Sequence, residues 1–184
     1  LEAGRRAVSL DDQDFYAHPV LGRLHMIARE HESAISETRI AVERNPNSAQ
    51  ANFGLGLALT MAGDARRAME PLTKAIALSP RDPNLSSYAS VLSTSHILQR
   101  DYKKAVGWAR VAMRQPSSHF IAQMHLVAAL GLLGDRKGAQ KARAKLLVLK
   151  PDFTLDYVVR SWPFKHASDT ARFTMAYVKL GLIP

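Results

Sequence analysis

One short pattern of residues returns four times along the chain at nearly constant spacing. In each copy a leucine is followed 13 residues later by an alanine, and a proline closes the copy. The alanines recur at intervals of 34, 37 and 34 residues. A period of this length indicates a stack of similar supersecondary units. The pattern residues are Leu21, Leu55, Leu92 and Leu126, then Ala34, Ala68, Ala105 and Ala139, then Pro46, Pro80, Pro116 and Pro151.

Each copy is predicted to be two antiparallel helices joined by a tight turn. The residue after the leucine is small in three copies, and together with the alanine it lets two helices approach closely. Glycine suits a helix C-terminus and aspartate an N-cap. The closing proline ends the second helix, because the residue before a proline avoids the helical region. A single pair cannot bury its apolar face, so the prediction is an all-α superhelix of stacked pairs. The predicted turns are Arg29-Glu30, Gly63-Asp64, Arg100-Asp101 and Gly134-Asp135.

The period, the leucine-glycine pair, the alanines and the closing proline resemble the tetratricopeptide repeat. The second copy carries the most motif residues: Leu55, Gly56, Ala68, Ala75 and Pro80. The chain departs from the family pattern where Val127 replaces a small residue and Leu146 replaces an alanine, and the early tryptophan is absent. The resemblance implies a non-catalytic protein-interaction module. It implies four repeats at residues 15–48, 49–82, 86–119 and 120–153 of a region spanning 15–153.

Residues 1–14 are predicted to be the end of a preceding, truncated repeat. Ala7 stands 34 residues before Ala41, and Asp12 occupies the place of a closing proline. The first residue is Leu1 rather than methionine. We therefore expect this chain to be a fragment of a longer protein, with more repeats or another domain upstream.

Residues 154–184 follow the last repeat and are predicted to form capping or docking helices. A short helix is expected from about Thr154 to Ser161, and a second from Asp169 to about Leu180 with Ser168 or Asp169 as its N-cap. The second helix has apolar residues at i, i+4 and i+7 spacing. Such a helix would cover the last apolar face of the solenoid or dock against a partner or an upstream domain. Those apolar residues are Phe173, Tyr177 and Leu180.

The tail also resembles the C-terminal end of certain bacterial class III adenylate/guanylate cyclases. The motif residues are Tyr157, Arg160, Pro163-Phe164-Lys165, Asp169, Arg172-Phe173 and the closing Lys179-Leu180-Gly181-Leu182-Ile183-Pro184, with Asp14-Phe15-Tyr16-Ala17-His18 and Leu21-Gly22-Arg23 near the start. The resemblance implies a regulatory array in cyclic-nucleotide signalling, with the catalytic domain outside this chain. Similar arrays follow DNA-binding domains in bacterial transcriptional regulators, which remain an alternative.

The first helices of the repeats are expected to line the concave face, as the family resemblance implies. This lining is mostly apolar, which suits an amphipathic helix or extended peptide, or an upstream domain of the same chain. The chain's own C-terminal helix filling the groove, and a second copy pairing at the cut end, are alternatives. The predicted lining residues are Tyr16, Arg23, Met26, Gln50, Phe53, Leu57, Met61, Ser90, Thr94, Ile97, His125, Ala128 and Leu132.

The basic charge of the chain lies in its second half. The net charge is +9, and residues 93–184 carry 15 basic and 5 acidic side chains. Such an excess favours anionic partners, so a nucleic-acid-binding scaffold is a third alternative. Aromatic residues make up only 7% of the chain and do not alternate with the basic residues as a stacking platform requires. The predicted basic stripe on the convex side is Arg110, Arg114, Lys137, Lys141 and Lys145.

Catalytic and metal-binding patterns find little support in the sequence. There are no cysteines and no Gly-rich phosphate loop. His18 and His25 are seven residues apart, or roughly 10 Å along a helix, too far to share one ion without other ligands. We therefore expect no enzyme activity, cofactor or metal in this chain. The missing cysteines, signal peptide and membrane span lead us to expect a cytoplasmic protein.

Overall fold

A computed structural model describes residues 1–10, 17–116, 118, 120–179 and 181. Every regular element in these residues is an α-helix, which confirms the predicted all-α class. The last predicted turn of the C-terminal helix, at Leu180, lies outside the described residues. The helices are α1 (Glu2–Leu10), α2 (Ala17–Ile27), α3 (His31–Arg44), α4 (Ala49–Met61), α5 (Met69–Leu78), α6 (Leu85–Leu98), α7 (Tyr102–Met113), α8 (Phe120–Leu133), α9 (Arg136–Leu149), α10 (Leu155–Ser161) and α11 (Ala167–Lys179).

The chain divides into two compact units, each built from stacked helices. The first comprises Leu1–Pro80 with Pro163–Lys165, and the second comprises Arg81–Trp162 with His166–Pro184. In the first unit α2 packs on α3 and α4 on α5, and in the second α6 packs on α7 and α8 on α9. These four pairs match the four copies of the sequence pattern. The repeat boundaries themselves remain predictions, and α6 begins one residue before its predicted repeat.

The small residues of the pattern lie where paired helices approach most closely. The four repeat alanines of the second helices, Ala34, Ala68, Ala105 and Ala139, are fully buried. A Cβ at Gly56 would lie 2.4 Å from Cγ of Leu72, so no larger residue fits there without rearrangement. Ser93 occupies the equivalent position in the third pair. Its hydroxyl donates a hydrogen bond of 2.9 Å to the carbonyl of Ala105 in the second helix of that pair.

All four turns within the pairs share one backbone conformation. Each pair's first helix ends at a residue with positive φ: 62° at Arg29, 89° at Gly63, 63° at Arg100 and 89° at Gly134. The next residue's N–H then donates to the carbonyl five positions earlier, as in Asp101 to His96 at 2.9 Å. This is the Schellman ending of a helix. The side chains of Asp101 and Asp135 cap the following helices, as predicted.

The closing prolines act on the residue before them. Asn45, Ser79 and Lys150 leave the helical region, with ψ of 82°, 75° and 87°. Each of these residues is the C-cap of a second helix and precedes a proline of the pattern. The prediction that proline ends the second helix is confirmed at these three positions, because a helical ψ would bring the preceding residue against the proline ring.

The two C-terminal helices lie where the sequence predicts them, but the start of the second helix differs from the prediction. Thr154 caps α10 by accepting the N–H of Tyr157, as the predicted start required. The predicted N-cap of the last helix was wrong: α11 begins at Ala167, and the N–H of Asp169 donates to the carbonyl of His166 at 3.0 Å. Asp169 therefore lies in the first turn, where its carboxylate faces the helix N-terminus favourably. No helix in the described part of the chain is long and apolar enough to cross a membrane.

Candidate functional site: the inner helices and the segments that cover them

The predicted groove residues fall into three groups by exposure. Arg23 and Gln50 are exposed, and Phe53, Leu57 and Leu132 are half-buried. The remaining described members have 9% exposure or less, and Tyr16 lies outside the described residues. The buried members are Met26 and Met61 in the first unit, and Ser90, Thr94, Ile97, His125 and Ala128 in the second. The face predicted as an open groove in the second unit is therefore covered.

Helix α11 covers this face, because it packs against both α6 and α8. The hydroxyl of Tyr177 donates to the carbonyl of Met124 in α8 at 2.5 Å. The guanidinium of Arg172 donates to the carbonyl of Leu98 at the end of α6 at 2.9 Å. Two polar contacts at different points thus fix α11 on the inner helices of this unit. Capping was predicted for this segment, and the structure shows that the covered surface is the face of α6 and α8.

Aromatic rings fill the space between α8 and α11. The ring of His125 lies 4.9 Å from that of Trp162 and 5.4 Å from that of Phe173, both in edge-to-face geometry. Tyr177 and Phe153 pack at 5.9 Å. Phe173 and Tyr177 are fully buried, and burial raises the pKa of the Tyr177 hydroxyl well above its usual value. The i, i+4 stripe predicted on this helix is therefore its contact surface.

A short segment covers part of the first unit. Phe164 is buried, and the N–H of Lys165 donates to the carbonyl of Met61 at 2.8 Å. The side chain of Lys165 forms an ion pair with Glu32, and this hydrogen bond lowers the pKa of the Glu32 carboxyl. Arg29 donates to the carbonyl of Phe164 at 3.3 Å. Met61, predicted to line the groove, is therefore closed off at the end of α4.

What remains accessible in the first unit is the part of α2 and α4 away from Met61. Phe53 and Leu57 stand one turn apart on α4 and are each half-buried. Arg23 and Gln50 are exposed on α2 and α4. These four residues lie on two helices that pack against each other, two of them apolar and two polar. We refer to Arg23, Gln50, Phe53 and Leu57 as the α2–α4 face.

The histidines near this face engage carboxylates. Nδ1 of His18 lies 2.7 Å from Glu37, and Nδ1 of His25 lies 2.5 Å from Glu30. Both imidazoles are buried. Among the described residues no group of three metal-ligating side chains converges. Each of the two histidines therefore has a structural role, because it orients a glutamate side chain.

The five residues of the predicted basic stripe are all exposed, and they lie on or at the end of α7 and α9. Neither helix contains an acidic residue. The stripe therefore keeps its charge at the surface of the second unit. Whether it binds an anionic partner stays a prediction.

Sequence reasoning placed Tyr177 in the apolar stripe and Arg172 in the tail motif but did not predict the hydrogen bonds that hold α11 in place. Arg172 and Tyr177 act through backbone carbonyls of Leu98 and Met124, and a carbonyl acceptor leaves no signature in the sequence. The apolar spacing of α11 predicted a buried stripe but did not identify the helices that receive it. The sequence did contain one indication of these bonds. Both Arg172 and Tyr177 carry hydrogen-bond donors, which an apolar capping helix does not require.

Comparisons with known proteins agree with this architecture. The family model described as "Tetratricopeptide repeat" matches residues 2–83. Anaphase-promoting complex subunit 3 of Schizosaccharomyces pombe is 26% identical over 152 residues, covering 83% of this chain. The chain spans only 22% of the length of that protein.

Solved structures share the fold over nearly the whole chain. PilW, described as a type IV pilus biogenesis factor, superimposes with a TM-score of 0.77 at 17% identity, covering 97% of this chain and 80% of its own. YrrB, described as a TPR protein with an unusual peptide-binding site, gives 0.63 at 16% identity, covering 97% and 92%. The family model thus matches residues 2–83, and the solved structures show that the chain shares their fold of stacked helix pairs.

Proposed function

We propose that the chain is a protein-interaction module whose inner helices bind amphipathic helices. The observation that carries this proposal is the placement of α11 on α6 and α8, since α11 is itself an amphipathic helix bound on inner helices of the repeat. Recognition of a helix in a groove through anchors at i and i+4 is a recurring mode of peptide binding. The unusual peptide-binding site ascribed to YrrB also favours a peptide ligand.

The packing of α11 supports a specific chemistry for a ligand of the inner face. Two aromatic anchors, Phe173 and Tyr177, are buried one turn apart. A hydroxyl and a guanidinium then donate to backbone carbonyls of α8 and α6. A partner helix with the same arrangement, aromatic residues at i and i+4 and a flanking arginine, would suit such a face.

The α2–α4 face is the proposed site for an external partner. Its Phe53 and Leu57 are half-buried, whereas the equivalent surface on α6 and α8 is occupied by α11. An aromatic and an aliphatic side chain one turn apart provide the apolar anchors that helix recognition needs. Arg23 supplies a single cation at the margin, too few for a clamp on a peptide carboxylate.

A site-specific photo-cross-link tests this assignment. The full chain with p-benzoylphenylalanine at Phe53 is exposed to the lysate of its source cell, and the matched control carries the same group at Ala77, an exposed position of α5. We expect a discrete adduct from position 53 that is absent from position 77. The cross-linked protein is then identified and its affinity measured directly.

The double variant Phe53→Asp, Leu57→Asp provides the second arm of the test. It should lose the binding of that identified partner while keeping a native circular dichroism spectrum. The matched control is Thr73→Asp, Ala77→Asp, which adds the same charge on exposed residues of α5. Retained affinity in a folded Phe53→Asp, Leu57→Asp variant would exclude the α2–α4 face.

At a finer level, the module is proposed to be the C-terminal regulatory region of a bacterial adenylate/guanylate cyclase. The supporting feature is the tail, whose resemblance to that group was described above. Three of its motif residues also hold the tail in place: Phe164 is buried, the N–H of Lys165 donates to the carbonyl of Met61, and Arg172 donates to the carbonyl of Leu98.

The native reading frame upstream of Leu1 tests this context. A cyclase domain with paired metal-binding aspartates would support it, and cyclase rates with and without residues 1–184 would then measure regulation. A DNA-binding domain upstream would favour a transcriptional regulator instead. The absence of a cyclase domain would contradict the finer proposal and leave the interaction module standing.

A further inference from the structure

A cavity of about 280 Å³ opens in the second unit on a side to which α11 contributes no lining residue. Its walls come from α7 and α9 and its floor from α8. Leu126 and Leu130 of α8, together with Met113 at the end of α7, provide an apolar base. The cavity is slightly smaller than the roughly 300–1,000 Å³ typical of small-molecule sites, so it suits one or two anchoring side chains.

Three cations stand at the margin of this cavity. They are Arg110 from α7 and Lys141 and Lys145 from α9, and all three are exposed. Lys141 and Lys145 are one helical turn apart and therefore share a face. Because α7 and α9 contain no acidic residue, neither helix supplies a carboxylate to neutralise these cations. The cavity thus combines an apolar base with a positive rim.

A polar group at the base is also incompletely satisfied. The amide of Gln123 donates to the carbonyl of Ala142 at 2.8 Å, but its buried Oε1 has no hydrogen-bond partner in the described part of the chain. An unsatisfied buried acceptor costs free energy.

We propose that this cavity is a docking site for an acidic amphipathic peptide segment. The segment inserts one or two apolar side chains against Met113, Leu126 and Leu130. It places carboxylates next to Arg110, Lys141 and Lys145. Charge complementarity selects an acidic partner, and the apolar base favours a peptide with apolar side chains over a single-stranded nucleic acid, which is commonly bound by stacking on aromatic rings. The site shares no residue with the α2–α4 face and does not depend on the proposed function.

The test uses the full chain and a synthetic probe. The probe is a fluorescein-labelled amphipathic peptide of about 14 residues, four helical turns, built from leucine on one face and glutamate elsewhere. Fluorescence anisotropy at physiological ionic strength measures its affinity. A second peptide replaces each leucine with glutamine. We expect saturable binding of the leucine peptide and binding at least about tenfold weaker of the glutamine peptide.

Charge reversal locates the site. The variant Arg110→Glu, Lys141→Glu, Lys145→Glu should bind the leucine peptide about tenfold or more weakly. The matched control Lys103→Glu, Arg114→Glu, Lys137→Glu changes the same total charge on exposed residues outside the cavity, on or at the end of the same two helices. It should change the affinity less than about threefold, because salt screens the interaction of the peptide with charges that lie outside the cavity. Both variants should keep the wild-type circular dichroism spectrum.

Several results would overturn the proposal. An equal loss of affinity for the leucine peptide in the two charge variants would show that the peptide is attracted to the basic surface as a whole and not to the cavity. Equal affinity for the two peptides would show that the apolar base has no part. No saturable binding of the leucine peptide, with tight binding of a single-stranded RNA oligonucleotide or of vesicles of phosphatidylglycerol and phosphatidylcholine, would assign the basic surface to nucleic acid or membrane instead.

Discussion

The hydroxyl of Tyr177 donates a 2.5 Å hydrogen bond to the main-chain carbonyl of Met124, joining α11 to the centre of α8. Both side chains are fully buried. The bond fixes the position of α11 along the inner face of the second unit. It also explains why that face, which the sequence predicts as a groove, is closed.

Loss of this hydrogen bond should destabilise the chain measurably. Tyr177→Phe keeps the ring and removes only the donor, so the free energy of unfolding should fall by about 1 kcal/mol. Urea denaturation measures the change. Tyr102→Phe, on the partly exposed start of α7, should change it by less than about 0.5 kcal/mol. Equal effects from the two variants would mean that the Tyr177 bond contributes nothing specific.

Two glycines should respond to alanine with opposite signs. At Gly56 the added Cβ would lie 2.4 Å from Cγ of Leu72, so Gly56→Ala should destabilise by about 1–3 kcal/mol through overpacking. At Gly107, an exposed position of α7, the Cβ meets nothing within 4 Å. Gly107→Ala should therefore stabilise by about 0.5–1 kcal/mol through helix propensity. Thermal unfolding distinguishes the two, and destabilisation by both variants would contradict the placement of Gly107.

The shared turn conformation predicts a second pair of opposite effects. Gly134 has a φ of 89° and open space around it, so Gly134→Ala should cost about 1 kcal/mol from backbone strain alone. Arg100 holds the same turn with a φ of 63°, and Arg100→Gly should leave stability unchanged or raise it by up to about 1 kcal/mol. Denaturant titrations of both variants measure these changes. A stabilising Gly134→Ala would contradict the left-handed turn.

His96 should make stability depend on pH in the weakly acidic range. Burial of its imidazole lowers its pKa below the ordinary value of 6.5, because desolvation disfavours the charged form. The unfolded chain then binds the proton more readily than the folded chain. This contribution to stability is complete above about pH 6.5 and is lost as the pH falls through the folded pKa. NMR titration of the His96 ring measures that pKa directly, and a value above 6.5 would refute the prediction.

The repeat pattern predicted the four helix pairs because close packing and turns leave local signatures. Gly56 and Ala68 are small where helices approach, Pro80 ends a helix, and Asp101 caps one. Contacts made through the main chain leave no such signature. The bond from Lys165 to the Met61 carbonyl and that from Arg172 to the Leu98 carbonyl depend on which helices meet, so the coverage of the predicted groove required the structure.

Helix α11 does not start where its preferred N-cap residues predict. Ser168 and Asp169 are both good N-cap residues, yet the carbonyl of His166 accepts N–H groups from Asp169 and Thr170 and the helix starts earlier. The early start places Asp169 3.5 Å from Arg172. A preference for a capping residue is worth about 1 kcal/mol, which contacts of the folded chain can outweigh.

The coverage of α6 and α8 by α11 is tested most directly by thiol labelling. The chain has no cysteine, so one introduced cysteine is the sole reactive thiol. Ala128→Cys, on the buried face of α8, is compared with Lys145→Cys, on exposed α9. We predict that a maleimide reagent labels position 128 about a hundredfold or more slowly than position 145, because labelling requires local opening of α11. Adding Phe173→Asp should remove much of that protection. Equal labelling rates at the two positions in the otherwise unchanged chain would contradict an inner face closed by α11.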